Sequence, residues 1–132
     1  MNLELKFRGY SSKSNRWHYG FAFNPHLEVW HILHSDNDLP FKETQREALV
    51  AKSSIGQFTG FIDKKGNDIY KGDILKFDFH IKTYEVIWHD GAYYLRNGNQ
   101  NTRLSTTSLS GYYVIGNVFE NPEMLLVSQA IT

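Results

Sequence analysis

Residues 55 to 77 read Ile55-Gly-Gln-Phe-Thr-Gly-Phe-Ile-Asp-Lys-Lys-Gly-Asn-Asp-Ile-Tyr-Lys-Gly-Asp-Ile-Leu-Lys-Phe77. This block packs two turn signals and three short strand signals together and leaves no residues over for a catalytic loop. Asp63-Lys64-Lys65-Gly66 places an acidic acceptor where a type I turn uses one and a glycine where the chain turns left-handed. Short strands are expected on either side of it as a hairpin. Lys71-Gly72-Asp73 marks a second tight reversal. Beyond it Leu75, Phe77, Phe79 and Ile81 alternate with Lys76, Asp78, His80 and Lys82, the period of a one-sided strand running to Ile81.

The next hairpin is specified in detail. Asp90-Gly91 suits a two-residue loop in which both positions take positive φ. Closed that way, His89 faces Ala92, Trp88 faces Tyr93, Val86 faces Leu95 and Glu85 faces Arg96. The apolar pairs then share one face and the opposite charges meet on the other.

Upstream, Leu3, Leu5 and Phe7 alternate with Glu4, Lys6 and Arg8 as a half-buried strand. Ser11 to Asn15 forms a loop, and Trp17 to Phe23 a second strand ended by Asn24-Pro25. Leu27 to Leu33 carries apolar residues on both faces, the mark of a central or covered strand. Phe41 to Lys52 contains good helix formers, although Leu49-Val50-Ala51 reads equally as a strand. Downstream, Asn97 to Ser110 is a polar loop or weak edge strand, and Tyr112 to Phe119 is the final strand. Asn121-Pro122-Glu123 has the form of a helix start, with Met124, Leu125 and Leu126 docking its turn.

At 132 residues the chain fits one domain or two small subdomains sharing a core. An aromatic share of 15% favours strands. Without cysteine, no disulfide framework, thiolate metal site or Cys nucleophile can form. No signal peptide pattern or membrane-length apolar run is present. The expected setting is a reducing cytoplasm, with no membrane partner. Net charge is zero, from 14 basic and 14 acidic side chains. The first 20 residues nevertheless sum to +3, from Lys6, Arg8, Lys13 and Arg16 against Glu4.

The 55–77 block and a later phrase together resemble the YopX family of phage and prophage proteins. The first phrase is Gly56-Gln57-Phe58-Thr59-Gly60, Asp63, Gly66, Ile69-Tyr70 and Lys71-Gly72-Asp73-Ile74. The second runs from Ile115 through Gly116, Asn117, Val118, Phe119, Glu120, Asn121, Pro122 and Glu123 to Met124-Leu125. Phe7-Arg8-Gly9-Tyr10 keeps part of the family's opening phrase. Lys71 departs from it, standing where the family commonly has Glu. The resemblance implies an all-β, phage-encoded protein whose C-terminal half is like a small SH3-like barrel. It carries over no catalytic residue.

The expected architecture is therefore all-β and antiparallel, with residues 1–52 as an N-terminal β subdomain and residues 53–132 as the SH3-like barrel subdomain. At most one or two short helical turns are expected. The family-motif positions are read as mainly structural.

Catalytic and metal chemistry find little support in the pattern. His31 and His34 fall on opposite faces of a strand and cannot chelate one ion together. A calcium loop begun at Asp63 would put Lys65 and Asp68 at its third and sixth positions, where a ligand and a glycine belong. The glycines fit neither phosphate-binding pattern, and no nucleophile elbow is present. No catalytic residue, metal ligand or cofactor is therefore assigned. The expected function is non-catalytic binding of a protein partner, since small β domains expose edges and aromatic grooves. The alternative is a nucleic-acid accessory module that uses Arg8, Lys13, Arg16, Trp17 and Tyr19, where cations adjoin rings that could stack bases. Self-association through an exposed strand edge stands as a further option.

Overall fold

The computed structural model describes residues 6–26, 29–34, 47–107 and 109–125. The chain is nearly all antiparallel β and divides into two compact units, residues 1–58 and 59–132.

In the first unit, β1 (Phe7–Ser11) and β2 (Arg16–His26) close as a hairpin around the polar residues 12–15. The turn is tightened by Asn15 at φ 57°, whose side-chain oxygen accepts the Tyr10 hydroxyl. Strand β3 (Val29–His34) pairs with β2 and β4 (Glu47–Val50), so it is central, as its two-sided apolar pattern anticipates. A 3-10 turn at Lys52–Ser54 leads into β5 (Gly56–Ile62), whose first residues pair with β1. Ile32, Ala48 and Val50 form the buried centre, with Phe7, Ala22, Trp30 and Ile55 packed around it. Gly9 lies over this core: a Cβ there would come within 2.8 Å of Val50 Cγ2 and 3.1 Å of Ile32 Cγ1.

One expectation is corrected here and one open reading is resolved. Asn24-Pro25 does not end β2. The strand runs on to His26, with its pairing to β3 shifting register between Phe23 and His26. An irregularity of that kind lets proline, which lacks an N–H, sit within a strand. The ambiguous stretch before Lys52 is strand over Glu47–Val50 rather than helix. Pairing with β3 across four residues outweighs the weak helix propensity of this short run. The remainder of Phe41 to Arg46 lies outside the described residues, as do Leu3, Leu5 and Leu126.

In the second unit, the later residues of β5 neighbour β6 (Asp68–Tyr70) across the 63–67 turn. A five-stranded open sheet follows, built from β7 (Asp73–Phe77), β8 (Thr83–His89), β9 (Ala92–Asn97), β10 (Gln100–Arg103) and β11 (Tyr112–Asn117). Its order is β10-β9-β8-β7-β11. Ile69, Leu75, Val86, Leu95, Leu104 and Leu109 form the core, with Phe61, Tyr84, Tyr93, Tyr112 and Val114 packed against it.

The β8–β9 hairpin has the anticipated register at every pair, from His89↔Ala92 to Glu85↔Arg96. Asp90 and Gly91 adopt φ 45° and 81°. Trp88 and Tyr93 meet edge to face at 4.8 Å, and Arg96 donates to Glu85 Oε1 at 3.0 Å on the other face. Within the polar stretch Asn97 to Ser110, read as a loop or a weak edge strand, Gln100–Arg103 form the edge strand β10.

Strand β7 stops at Phe77 instead of continuing to Ile81. Asp78 takes a positive φ of 21°, its N–H donates to Gly111 O at 3.2 Å, and the His80 N–H turns back to Phe77 O at 2.8 Å. These bonds reverse the chain, so Phe79 and Ile81 are exposed rather than aligned with Leu75. The final strand likewise ends at Asn117, and residues 123–125 are helical, as the Asn121-Pro122-Glu123 signal anticipates. Among the described residues no helix is long and apolar enough to cross a membrane.

Candidate binding face

The residues singled out near the N-terminus fall on β1, β2 and the loop joining them. Directly opposed residues of an antiparallel pair share a face, and neighbours along a strand alternate. Arg8 opposes Tyr19 and Tyr10 opposes Trp17, so these four share one face. Phe21 follows on that face of β2 and opposes Leu33. Leu49 of β4 opposes His31 of β3, which extends the same face. The opposite face carries Ile32, Ala48 and Val50 into the core.

The face is markedly apolar. Tyr19 and Phe21 are each 45% exposed, Leu33 38% and Leu49 52%. Toward β1 the surface becomes ordered and aromatic. Trp17 meets Tyr10 edge to face at 5.5 Å, and the Arg8 guanidinium lies 4.7 Å from the Trp17 ring centroid. Arg8 itself is only 8% exposed, so its charge is held against the indole rather than presented to solvent.

The expected cluster is thus brought together in part. Arg8, Trp17 and Tyr19 converge. Arg16 opposes Ser11 and therefore projects to the other side of the hairpin, and Lys13 stands exposed in the loop. Phe21, Leu33 and Leu49 complete the surface and were not among the sequence candidates. The signal for Leu33 was present in the two-sided apolar pattern of Leu27 to Leu33, which does not say which side is covered.

His18, on the core side of β2, is 5% exposed and its Nε2 lies 2.7 Å from Ser14 Oγ. Among the described residues no three His or carboxylate side chains are grouped to hold an ion.

The motif positions of the 55–77 block are tied into a hydrogen-bonded frame. Gly56 and Gln57 oppose Arg8 and Phe7 on β1. Thr59, buried, donates from Oγ1 to Ile69 O at 2.8 Å and accepts from Phe61 N. Gly60, Gly66 and Gly72 all have positive φ, of 87°, 85° and 94°. Asp63 Oδ1 accepts from Lys65 N and Asn67 N, while Oδ2 accepts from Asn67 Nδ2 and, across to β11, from Val114 N at 3.0 Å. Burial, the largest influence, pushes its carboxyl up. The hydrogen bonds from Val114, Asn67 and Lys65 outweigh it and hold the pKa below the ordinary 3.8. Asp73 Oδ2 accepts from Tyr70 N at 2.7 Å, so the buried residues Tyr70 and Asp73 close the second reversal. Gly72 donates to Val86 O and accepts from Val118 N, joining β8 to the segment after β11.

The second phrase closes on itself. Asn117 Oδ1 accepts from Glu120 N at 2.9 Å, and Asn121 Oδ1 accepts from Asn117 N at 3.2 Å. Asn121 Oδ1 and Met124 Sδ crowd Gly116, where a Cβ would lie 2.6 Å from the former. Pro122 accepts from Leu125 N as the last turn begins.

The profile of the YopX protein family matches residues 6–126. The chain belongs to the YopX family. Both phrases of this YopX chain lie inside the matched span. A crystal structure of protein EF1440 from Enterococcus faecalis is similar in fold, with a TM-score of 0.62 and 22% identity. The similarity covers 94% of this chain and 99% of that one. No curated protein matches the sequence.

Proposed function

We propose that this YopX-family chain is a non-catalytic binding protein whose docking surface is the open face of its first sheet. The carrying observation is the set Tyr19, Phe21, Leu33 and Leu49, exposed together over three adjacent strands. Contiguous exposed apolar surface of this kind marks interaction sites in soluble proteins. Rings on rigid strands present large contact area at little entropic cost, which suits them to anchor an interface.

A protein partner fits this face better than a nucleic acid. Phosphate binding needs accessible cations beside the rings. Arg8 is nearly buried on Trp17, and Arg16 projects to the other side. Leu33 and Leu49 add aliphatic surface that stacks no base. The phage or prophage setting and the bacterial cytoplasm rest on what the sequence resemblance implies. The antiparallel run β7-β8-β9, with β11 returning beside β7, supports an SH3-like reading of residues 53–132.

The test is capture of partners from phage-infected host cells by the wild-type chain and by Phe21→Ser/Leu49→Ser. Both positions are surface sites, so the variant should melt within a few degrees of wild type. The expected result is a protein retained by wild type and absent from the variant. An identical set captured by both would remove this face from consideration.

A further inference from the structure

The fold assembles a second surface that the sequence keeps apart. Lys64 and Lys65 sit in the turn between β5 and β6, Lys76 on β7 and Tyr113 on β11. Tyr113 opposes Lys76 directly. The Lys65 ammonium lies 4.5 Å from the Tyr113 ring centroid and that of Lys64 5.3 Å. Lys64 also pairs with Asp78, which begins the 78–82 connection carrying Lys82 and the fully exposed Phe79.

The arrangement is held from beneath. Asp63 fastens the turn to β11 through Val114 N, and Lys64 N donates to Tyr112 O at 2.9 Å. Asp78 N donates to Gly111 O, and Phe77 packs on both His80 and Tyr112 with centroids 5.0 Å apart in each case. Cations and rings are therefore set on a braced surface before any ligand arrives. Asp78 offsets one charge and the ionised Asp63 beneath the turn a second, which leaves two positive charges in excess among Lys64, Lys65, Lys76 and Lys82.

We propose that this surface of the second unit binds single-stranded nucleic acid, with phosphates on Lys64, Lys65 and Lys76 and an unpaired base on Phe79. Ammonium groups on the turn and β7, with an exposed ring on the adjoining 78–82 connection, meet the two demands of a single strand, charge neutralisation along its backbone and a flat apolar partner for a base. Phe79 stands clear of its own core at a turn, where a base can reach its ring. Charge neutralisation and stacking do not distinguish one base from another, so binding is largely independent of sequence.

The probe is fluorescein-labelled dT20, followed by anisotropy between 50 and 200 mM salt. Three neutralised phosphates on a single strand give a log–log slope of about −2, or a loss of about 15-fold over that range. The Lys64→Gln/Lys65→Gln/Lys76→Gln variant should lose most of the binding and of the slope. Phe79→Ala should weaken binding by roughly 5-fold or more with the slope retained, because stacking is not ionic. Circular dichroism and melting temperature establish that each variant is folded. Should the triple variant not fold, Lys65→Glu, at an exposed turn position, takes its place. Absence of binding at 50 mM salt, full binding by a folded lysine variant, or equal loss in Lys13→Gln/Arg16→Gln would overturn the assignment. So would equal competition by polyglutamate together with indifference to Phe79→Ala, which would point to an acidic protein segment as the occupant.

Discussion

At Asp63 a single carboxylate accepts four hydrogen bonds, three from its own turn and one from β11. Replacing it by Asn removes the charge that strengthens them and should lower stability at pH 7 by about 1–3 kcal/mol, read from the urea midpoint. The sign with pH follows from the depressed folded-state pKa. As pH falls, the unfolded chain takes the proton first. This contribution is therefore complete above the ordinary carboxylate range and is lost as pH drops through the folded value. The gap between wild type and Asp63→Asn should narrow below about pH 4, and a gap constant down to pH 2.5 would contradict the account. Gly9 is a residue of another kind, because its difficulty is space. Gly9→Ala should cost about 1–3 kcal/mol by pressing a methyl group into Val50 and Ile32. An unchanged melting temperature would show that the core yields there.

For the elements, the turns were legible because their chemistry is local. Asp90-Gly91 and Asp63 to Gly66 announce positive φ through residue type alone, and the strands beside them follow in register. Gly91→Val should cost about 1 kcal/mol or more, purely through the backbone, since nothing lies within 4 Å of an added Cβ. Thermal unfolding checks this, and Gly91→Asn should recover part of the loss because Asn tolerates that φ. The Glu85–Arg96 pair beside it is partly exposed, so Arg96→Gln should change stability by no more than about 1 kcal/mol. Where an element's limit depended on distant residues, the sequence was misleading. Phe79 and Ile81 keep the alternation of β7, yet Gly111 draws Asp78 out of the strand from 33 residues away. Asn24-Pro25 has the chemistry of a stop, yet pairing with β3 resumes beyond it. The basic and aromatic N-terminal segment was read as one cluster, and strand alternation divides it between two sides. Lys64, Lys65 and Tyr113 could not be connected in advance, because their meeting depends on how β11 returns beside β7.

Across the whole molecule, equal numbers of acidic and basic groups leave little net repulsion near neutral pH. With the apolar face of the first sheet exposed, light scattering should show stronger attraction between molecules near pH 7 than near pH 9.5. Phe21→Ser/Leu49→Ser should reduce it. Attraction unaltered by that variant would locate its source elsewhere.

The rim of the second sheet bears on a separate matter. Strand β11 has part of its outer side taken by Asp63 and Lys64, which bond Val114 N and Tyr112 O. At the far side β10 is composed of Gln, Asn, Thr and Arg, all exposed. One margin is stoppered and the other is polar, so neither offers a bare apolar template on which further chains could stack. Removing the stopper, as Asp63→Ala would, opens a route to amyloid-like growth: thioflavin fluorescence should rise on prolonged incubation of that variant and stay flat for the parent.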